Sequence, residues 1–114
     1  FGGHRVQGRD GGADIVEDAI ALDAAGVFAI VVELVTSDAA ATVTRSVKCP
    51  TIGIGAGPHC DGQIQVFHDL FGLSTRTFKH AKVYGDAGAL MSDGLKAYAE
   101  EVRQGGFPGP ENSF

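Results

Sequence analysis

Glu33 closes a run of six apolar residues, Val27-Phe28-Ala29-Ile30-Val31-Val32, and the acid–base chemistry of this sequence is read there first. A carboxylate at the end of such a run is expected to sit among apolar neighbours. Burial disfavours its charged form and suits it to act as a general base near neutral pH. The alternative is an ordinary strand-end glutamate that faces solvent or pairs with Arg45 or Lys48, and the pattern alone leaves both open. The second feature is Gly53-Ile54-Gly55-Ala56-Gly57, where alternate glycines let a backbone approach a ligand closely. Gly53, Gly55, Ala56 and Gly57 are therefore candidate substrate contacts, against the plainer reading of tight packing at a strand end. The segment is not the dinucleotide fingerprint, because Pro58 stands where a third glycine would be needed.

Other chemistry-bearing residues carry less. His4, His59, His68 and His80 have no spacing that places two imidazoles on one helical face, so no metal site is expected from them. Cys49 and Cys60 are the only cysteines and read as two reduced thiols. Arg5 and Arg9 flank Gln7 in a glycine-rich stretch, either lining a site or making surface contacts.

The elements that must position these residues alternate. Ile15, Val16, Ala19, Ile20 and Ala24 recur at helical spacing and stop at Gly26. Residues 27–32 read as a strand buried on both faces, and Ser37 or Asp38 as the cap of a helix over 39–47. Residues 51–54 form a second short strand. Asp61 is expected to cap a helix presenting Ile64, Phe67, Leu70 and Phe71, followed by a strand over 79–84. Ser92 or Asp93 opens a last helix with Leu95, Tyr98, Ala99 and Val102 inward, stopped by Gly105-Gly106.

This α-β-α-β-α-β-α order implies parallel βαβ units. Three strands close neither a doubly wound sheet nor a barrel. The expected fold is α/β: residues 1–114 as the C-terminal part of a single (β/α)8 TIM barrel domain, about strands 6 to 8 with their helices. The start on Phe1-Gly2-Gly3, without methionine, reads as a fragment. In such a barrel catalytic groups sit at the C-terminal ends of strands, which is where Glu33 falls.

Composition narrows the partners. A formal charge of −5 gives no basic face for nucleic acid, and no apolar run approaches a membrane span. With no leader pattern either, a cytoplasmic protein is expected.

Several separated motifs together resemble one family. Phe1-Gly2-Gly3-His4-Arg5-Val6-Gln7-Gly8-Arg9 is similar to the F-G-G-[FY]-[KR]-V-Q-G-R stretch of ketopantoate hydroxymethyltransferases. Leu22 to Gly26 with Val31-Val32-Glu33 resembles that family's L-x-x-A-G and V-x-E segments. Pro50-Thr51-Ile52-Gly53-Ile54-Gly55-Ala56-Gly57 with Cys60-Asp61-Gly62-Gln63 resembles its glycine-rich signature. Phe67-His68-Asp69 and the Phe107-Pro108-Gly109 to Phe114 ending also resemble the family's pattern. Departures are Asp10-Gly11-Gly12 after the first motif, Leu34 after the glutamate, and Asn112 where histidine is common.

The resemblance implies transfer of a hydroxymethyl group from methylenetetrahydrofolate to alpha-ketoisovalerate, giving ketopantoate for pantothenate and coenzyme A synthesis. It implies Mg2+ as cofactor, with ligands in a preceding N-terminal half and none in this chain, and a homo-oligomer, often decameric in the family. It matches the family's proton acceptor to Glu33. Two competing readings are a non-catalytic truncated chain and a phosphate-binding barrel similar to inosine monophosphate dehydrogenase. The latter would use Cys60 as nucleophile, but Asp61 beside it has the wrong sign to activate a thiol.

Overall fold

The computed structural model describes residues 5–114, so Phe1-Gly2-Gly3-His4, including the start of the first family-like motif, lies outside the described residues. The chain divides into two compact units, residues 1–65 and 66–114.

In the first unit, helix α1 (Ala13–Ala24) leads to strand β1 (Ile30–Glu33), helix α2 (Ser37–Ser46), strand β2 (Thr51–Ile54) and the two-residue strand β3 (Gly62–Gln63). The strands form one parallel sheet in the order β1-β2-β3, with Ile30 opposite Thr51 and Glu33 opposite Ile54. Side chains alternate across a strand. Ile30 and Val32 therefore share one face and pack with Ala19, Ala39, Ala40 and Val43 of the two helices. Three buried alanines fall within α2, at 39–41, and Ala56 lies in the same core as Ala39 and Ala40, and these small side chains let helix and sheet close on one another.

The expected strand over 27–32, buried on both faces, is corrected to Ile30–Glu33, buried on one. Val31 is 58% exposed, because only the Ile30/Val32 face has helices against it, and Phe28, 93% exposed, lies in a bend before the strand begins. Helix α2 starts two residues earlier than expected. Thr36 takes an extended conformation before it and its carbonyl accepts from the Ala40 amide at 2.9 Å.

The helix expected from Asp61 does not form there. Its carboxylate accepts from the Thr51 amide at 2.8 Å and hydroxyl at 3.0 Å, so it is not available to cap a helix. That tether draws Gly62-Gln63 alongside Ile52-Gly53 as β3.

The second unit begins with the four-residue helix α3 (Phe67–Leu70). The expected strand over 79–84 is absent. The amides of Tyr84 and Ala87 instead bind the carbonyls of Leu70 and Phe71, at 2.8 and 2.9 Å, satisfying the open end of α3. Helix α4 (Ala87–Gln104) begins earlier than Ser92 because Asp86 caps it, accepting from the Ala89 amide at 2.9 Å. It ends as expected at Gly105, in a left-handed turn with the Gly106 amide on the Glu101 carbonyl. Leu95, Tyr98 and Val102, expected inward, are 68%, 55% and 45% exposed, and α4 has no buried residue. Among the described residues no helix is long and apolar enough to cross a membrane.

Candidate functional site

Glu33 is the last residue of β1, on the face opposite the one that α1 and α2 cover. Val31, Ile52 and Ile54 share that face by register. The glutamate is exposed, so the desolvated setting expected for it is not supplied by these residues. Of the six apolar residues before it, only Ile30, Val31 and Val32 lie in the strand, and they alternate between its faces rather than surround the glutamate. No ion pair to Glu33 forms among the described residues, and Arg45 donates to the Thr42 hydroxyl instead.

The turn after Glu33 is held by its neighbour. Leu34 has φ 50, a left-handed conformation that is uncommon for any residue but glycine. Its amide donates to the Ile54 carbonyl at 2.9 Å and its carbonyl accepts from the Gln7 amide at 2.8 Å. The reversal resets the alternation: Val32 and Val35, three residues apart, are both buried, while Glu33 stays on the open face. Gln7 pairs with Val35 in a parallel bridge, and its carbonyl accepts from the Thr36 amide at 3.0 Å. The loop carrying Arg5 and Arg9 is thus fastened to the end of the strand that carries Glu33.

The glycine segment leaves the C-terminal end of β2, beside Glu33 in register. Gly55 and Gly57 have φ 67 and 73. A Cβ on Gly57 would lie 2.7 Å from the Ser37 Cβ, and one on Gly53 would lie 3.0–3.2 Å from the Gln63 amide and the Cys60 Sγ. These two glycines therefore serve close packing. Ala56 is 0% exposed, so side chain and backbone alike belong to the core, and contact with a ligand falls to its neighbours Gly55 and Gly57, which reach the surface. Gln63 ties the loop, its Nε2 donating to the Gly57 carbonyl at 2.9 Å.

Two carboxylates brace the sheet at the end away from Glu33, where β2 begins. Asp61 on Thr51 is held below the usual carboxylate range by the Thr51 amide first, then the Thr51 hydroxyl. Asp23 accepts from the Lys48 and Cys49 amides at 3.1 and 3.0 Å, and these bonds lower it likewise. Partial burial, followed by the facing Asp23, pushes the Cys49 thiol up and away from nucleophilic use. Cys60 packs against the core. Sequence reading gave Leu34 no part in the turn, took Ser37 only as a helix cap, and missed the Thr51–Asp61 tether. An Asp-Gly pair ten residues after a buried threonine was the available signal for the tether, and its reading as a helix cap concealed it.

Among the described residues no three His, Cys, Asp or Glu side chains converge as a metal site. These residues by themselves do not fit a bound divalent ion.

Comparison with known proteins extends the motif resemblance. Residues 1–110 match the family model described as ketopantoate hydroxymethyltransferase. The chain is 50% identical, over 100% of its length, to 3-methyl-2-oxobutanoate hydroxymethyltransferases of a Nocardioides species and of Pelobacter propionicus. It is 50% identical over 98% of its length to that of Pyrobaculum calidifontis. It spans about two fifths of these relatives, 39%, 43% and 43% of their lengths. With the family model covering nearly every residue, the chain belongs to the ketopantoate hydroxymethyltransferase family.

Proposed function

We propose that this chain forms about strands 6 to 8 of a (β/α)8 barrel and contributes the proton-accepting part of a hydroxymethyl transfer to 3-methyl-2-oxobutanoate, with Glu33 as general base. The observation that carries the reading is the position of Glu33: last residue of a parallel strand, on the sheet face left free of helices. In a closed barrel that face is the interior and that end is the catalytic mouth. Preceding strands would then cover Val31 and Ile52 and supply the desolvation that the described residues do not.

The carbon beside the ketone of the keto acid carries a weakly acidic proton. A Glu33 carboxylate oxygen takes it, and the C–H electron pair moves into the carbon–carbon bond as the keto oxygen becomes an enolate. The enolate carbon then forms a bond to the methylene carbon of methylenetetrahydrofolate, both C–N bonds to the folate break, water supplies the hydroxyl oxygen of the new hydroxymethyl group, and tetrahydrofolate leaves with the protons. Leu34 fixes the turn that holds Glu33 on the open face. The backbone of Gly55 and Gly57 borders the same end of the sheet and is the proposed contact to substrate, with the buried Ala56 between them as their anchor in the core. A magnesium ion on the keto acid would take its ligands from outside this segment. Assembly as a homo-oligomer and a cytoplasmic location follow from the same reading.

The test is Glu33→Gln in the longer enzyme that carries this segment. Glutamine keeps the shape and cannot accept the proton, so kcat should fall ~10²–10⁴-fold. Exchange of the keto acid's acidic proton with deuterated solvent should fall in parallel. Turnover above about half of the parent would remove Glu33 from the role of base.

A further inference from the structure

We infer that Arg5 and Arg9 form a docking pair for a carboxylate of one of the reactants. The inference deepens the proposed function and rests on that reading of the strand end.

Residues Arg5, Val6, Gln7, Gly8, Arg9 and Asp10 line a solvent-facing groove of about 360 Å³. The backbone beneath it is fastened, with the Gln7 amide and carbonyl bonded to Leu34 and Thr36 and the Gly8 carbonyl accepting from the Thr36 hydroxyl at 3.1 Å. Gly8 lies so close to α2 that a Cβ there would be 3.0 Å from the Ala39 Cβ. Both guanidinium groups are nevertheless exposed and engage no carboxylate among the described residues. The one acid in the groove, Asp10, accepts from the Gly12 amide at 3.3 Å. Two cations on a pinned loop, beside the strand end that carries Glu33, are arranged for an incoming anion rather than for the fold. A guanidinium presents a planar pair of donors matched to a carboxylate.

Two reactants could bring that group. The keto acid carries one carboxylate, and a folate donor carries those of its glutamyl tail. The experiment separates them in the longer enzyme with Arg5→Gln, Arg9→Gln and the double variant. KM is measured for 3-methyl-2-oxobutanoate and for methylenetetrahydrofolate with one or three glutamyl residues. Each arginine lost should raise one KM about 10-fold or more, with kcat within about 2-fold, and Arg→Lys should recover part of it. A KM shift confined to the keto acid identifies its carboxylate as the occupant. A shift for the donor, with loss of its dependence on tail length, identifies the glutamyl carboxylates. The parent KM for that reactant should rise with salt, and the double variant's should not. Melting curves confirm that each variant is folded. Both KM values within about 2-fold of the parent in a folded double variant would overturn the inference, as would a loss confined to kcat. Isotope exchange with Glu33→Gln reports on the base separately, so a KM shift in the arginine variants stands even if Glu33 fails its own test.

Discussion

Asp61 grips Thr51 twice with one carboxylate oxygen, which accepts from both the threonine amide and its hydroxyl. Thr51 is 0% exposed and returns the contact by accepting from the Asp61 amide at 3.3 Å, while sharing a 2.8 Å hydrogen bond with Thr44 of α2. One carboxylate thereby joins the start of β2, the start of β3 and the helix that covers them. The loop holding Gly55, Ala56 and Gly57 is closed by this tether.

The tether has a pH signature. Because Asp61 lies below its ordinary value of 3.8 when folded, the stability it contributes is complete above that value. It is lost as pH falls from there through the lower folded value. Asp61→Asn should lower the melting temperature at pH 7 and flatten the part of the acid limb that belongs to this group. Thermal melts from pH 2 to 7 on both proteins test it. An unchanged acid limb would mean that the grip on Thr51 does not depend on charge.

Gly57 and Gly26 both have positive φ, at 73 and 85, but only Gly57 faces a neighbour. Gly26→Ala should cost about 1–2 kcal/mol, the backbone term alone. Gly57→Ala adds the clash with Ser37 and should cost about 1–3 kcal/mol more. Urea unfolding measures both, and Ser37→Gly should recover part of the second. If Gly57→Ala changed KM and left stability at the Gly26→Ala level, the glycine would serve a ligand rather than packing.

Leu34 is tested by the direction of its strain. A β-branched side chain tolerates φ 50 poorly, whereas glycine adopts it freely. Leu34→Val should therefore displace the turn after Glu33 and lower kcat about 10-fold or more, since small misplacements near the chemistry are costly. Leu34→Gly should keep kcat within about 3-fold, despite removing more of the side chain. Equal kcat in the two variants would show that this backbone turn does not position Glu33.

The elements with strong local signals were legible in the sequence. The helix over Ile15 to Ala24, the strand at Thr51, and the stop at Gly105 follow from periodicity and glycine chemistry, and the structure has them. Glu33 at a strand end was legible for the same reason. What failed depended on partners distant in sequence. Asp61 looked like a helix cap because its contact with Thr51 is invisible to local patterning. Residues 79–84 looked like a strand because local patterning does not reveal that the Tyr84 amide meets the end of α3. Burial on both faces of β1 was read from composition, yet only one face is covered by residues of this chain.

That uncovered face supplies the strongest test of the barrel reading. Val31 is 58% exposed in this chain, on the same face as Glu33, and exposed valine invites a tolerant prediction. If β1 is one stave of a closed barrel, Val31 points into a packed interior in the longer enzyme, and a lysine there would bring a charge into apolar surroundings. Val31→Lys should then destabilise the longer enzyme by about 3 kcal/mol or more, or prevent its folding. Glu17→Lys, at an exposed position on α1, serves as the control and should stay within about 0.5 kcal/mol. Both are measured by urea unfolding, with Val31→Ile as a size probe that a packed interior should resist by about 1 kcal/mol. A longer enzyme that accepts Val31→Lys as readily as Glu17→Lys would leave this face of β1 in solvent. The barrel would then be excluded, together with the desolvated setting on which Glu33 depends as a base.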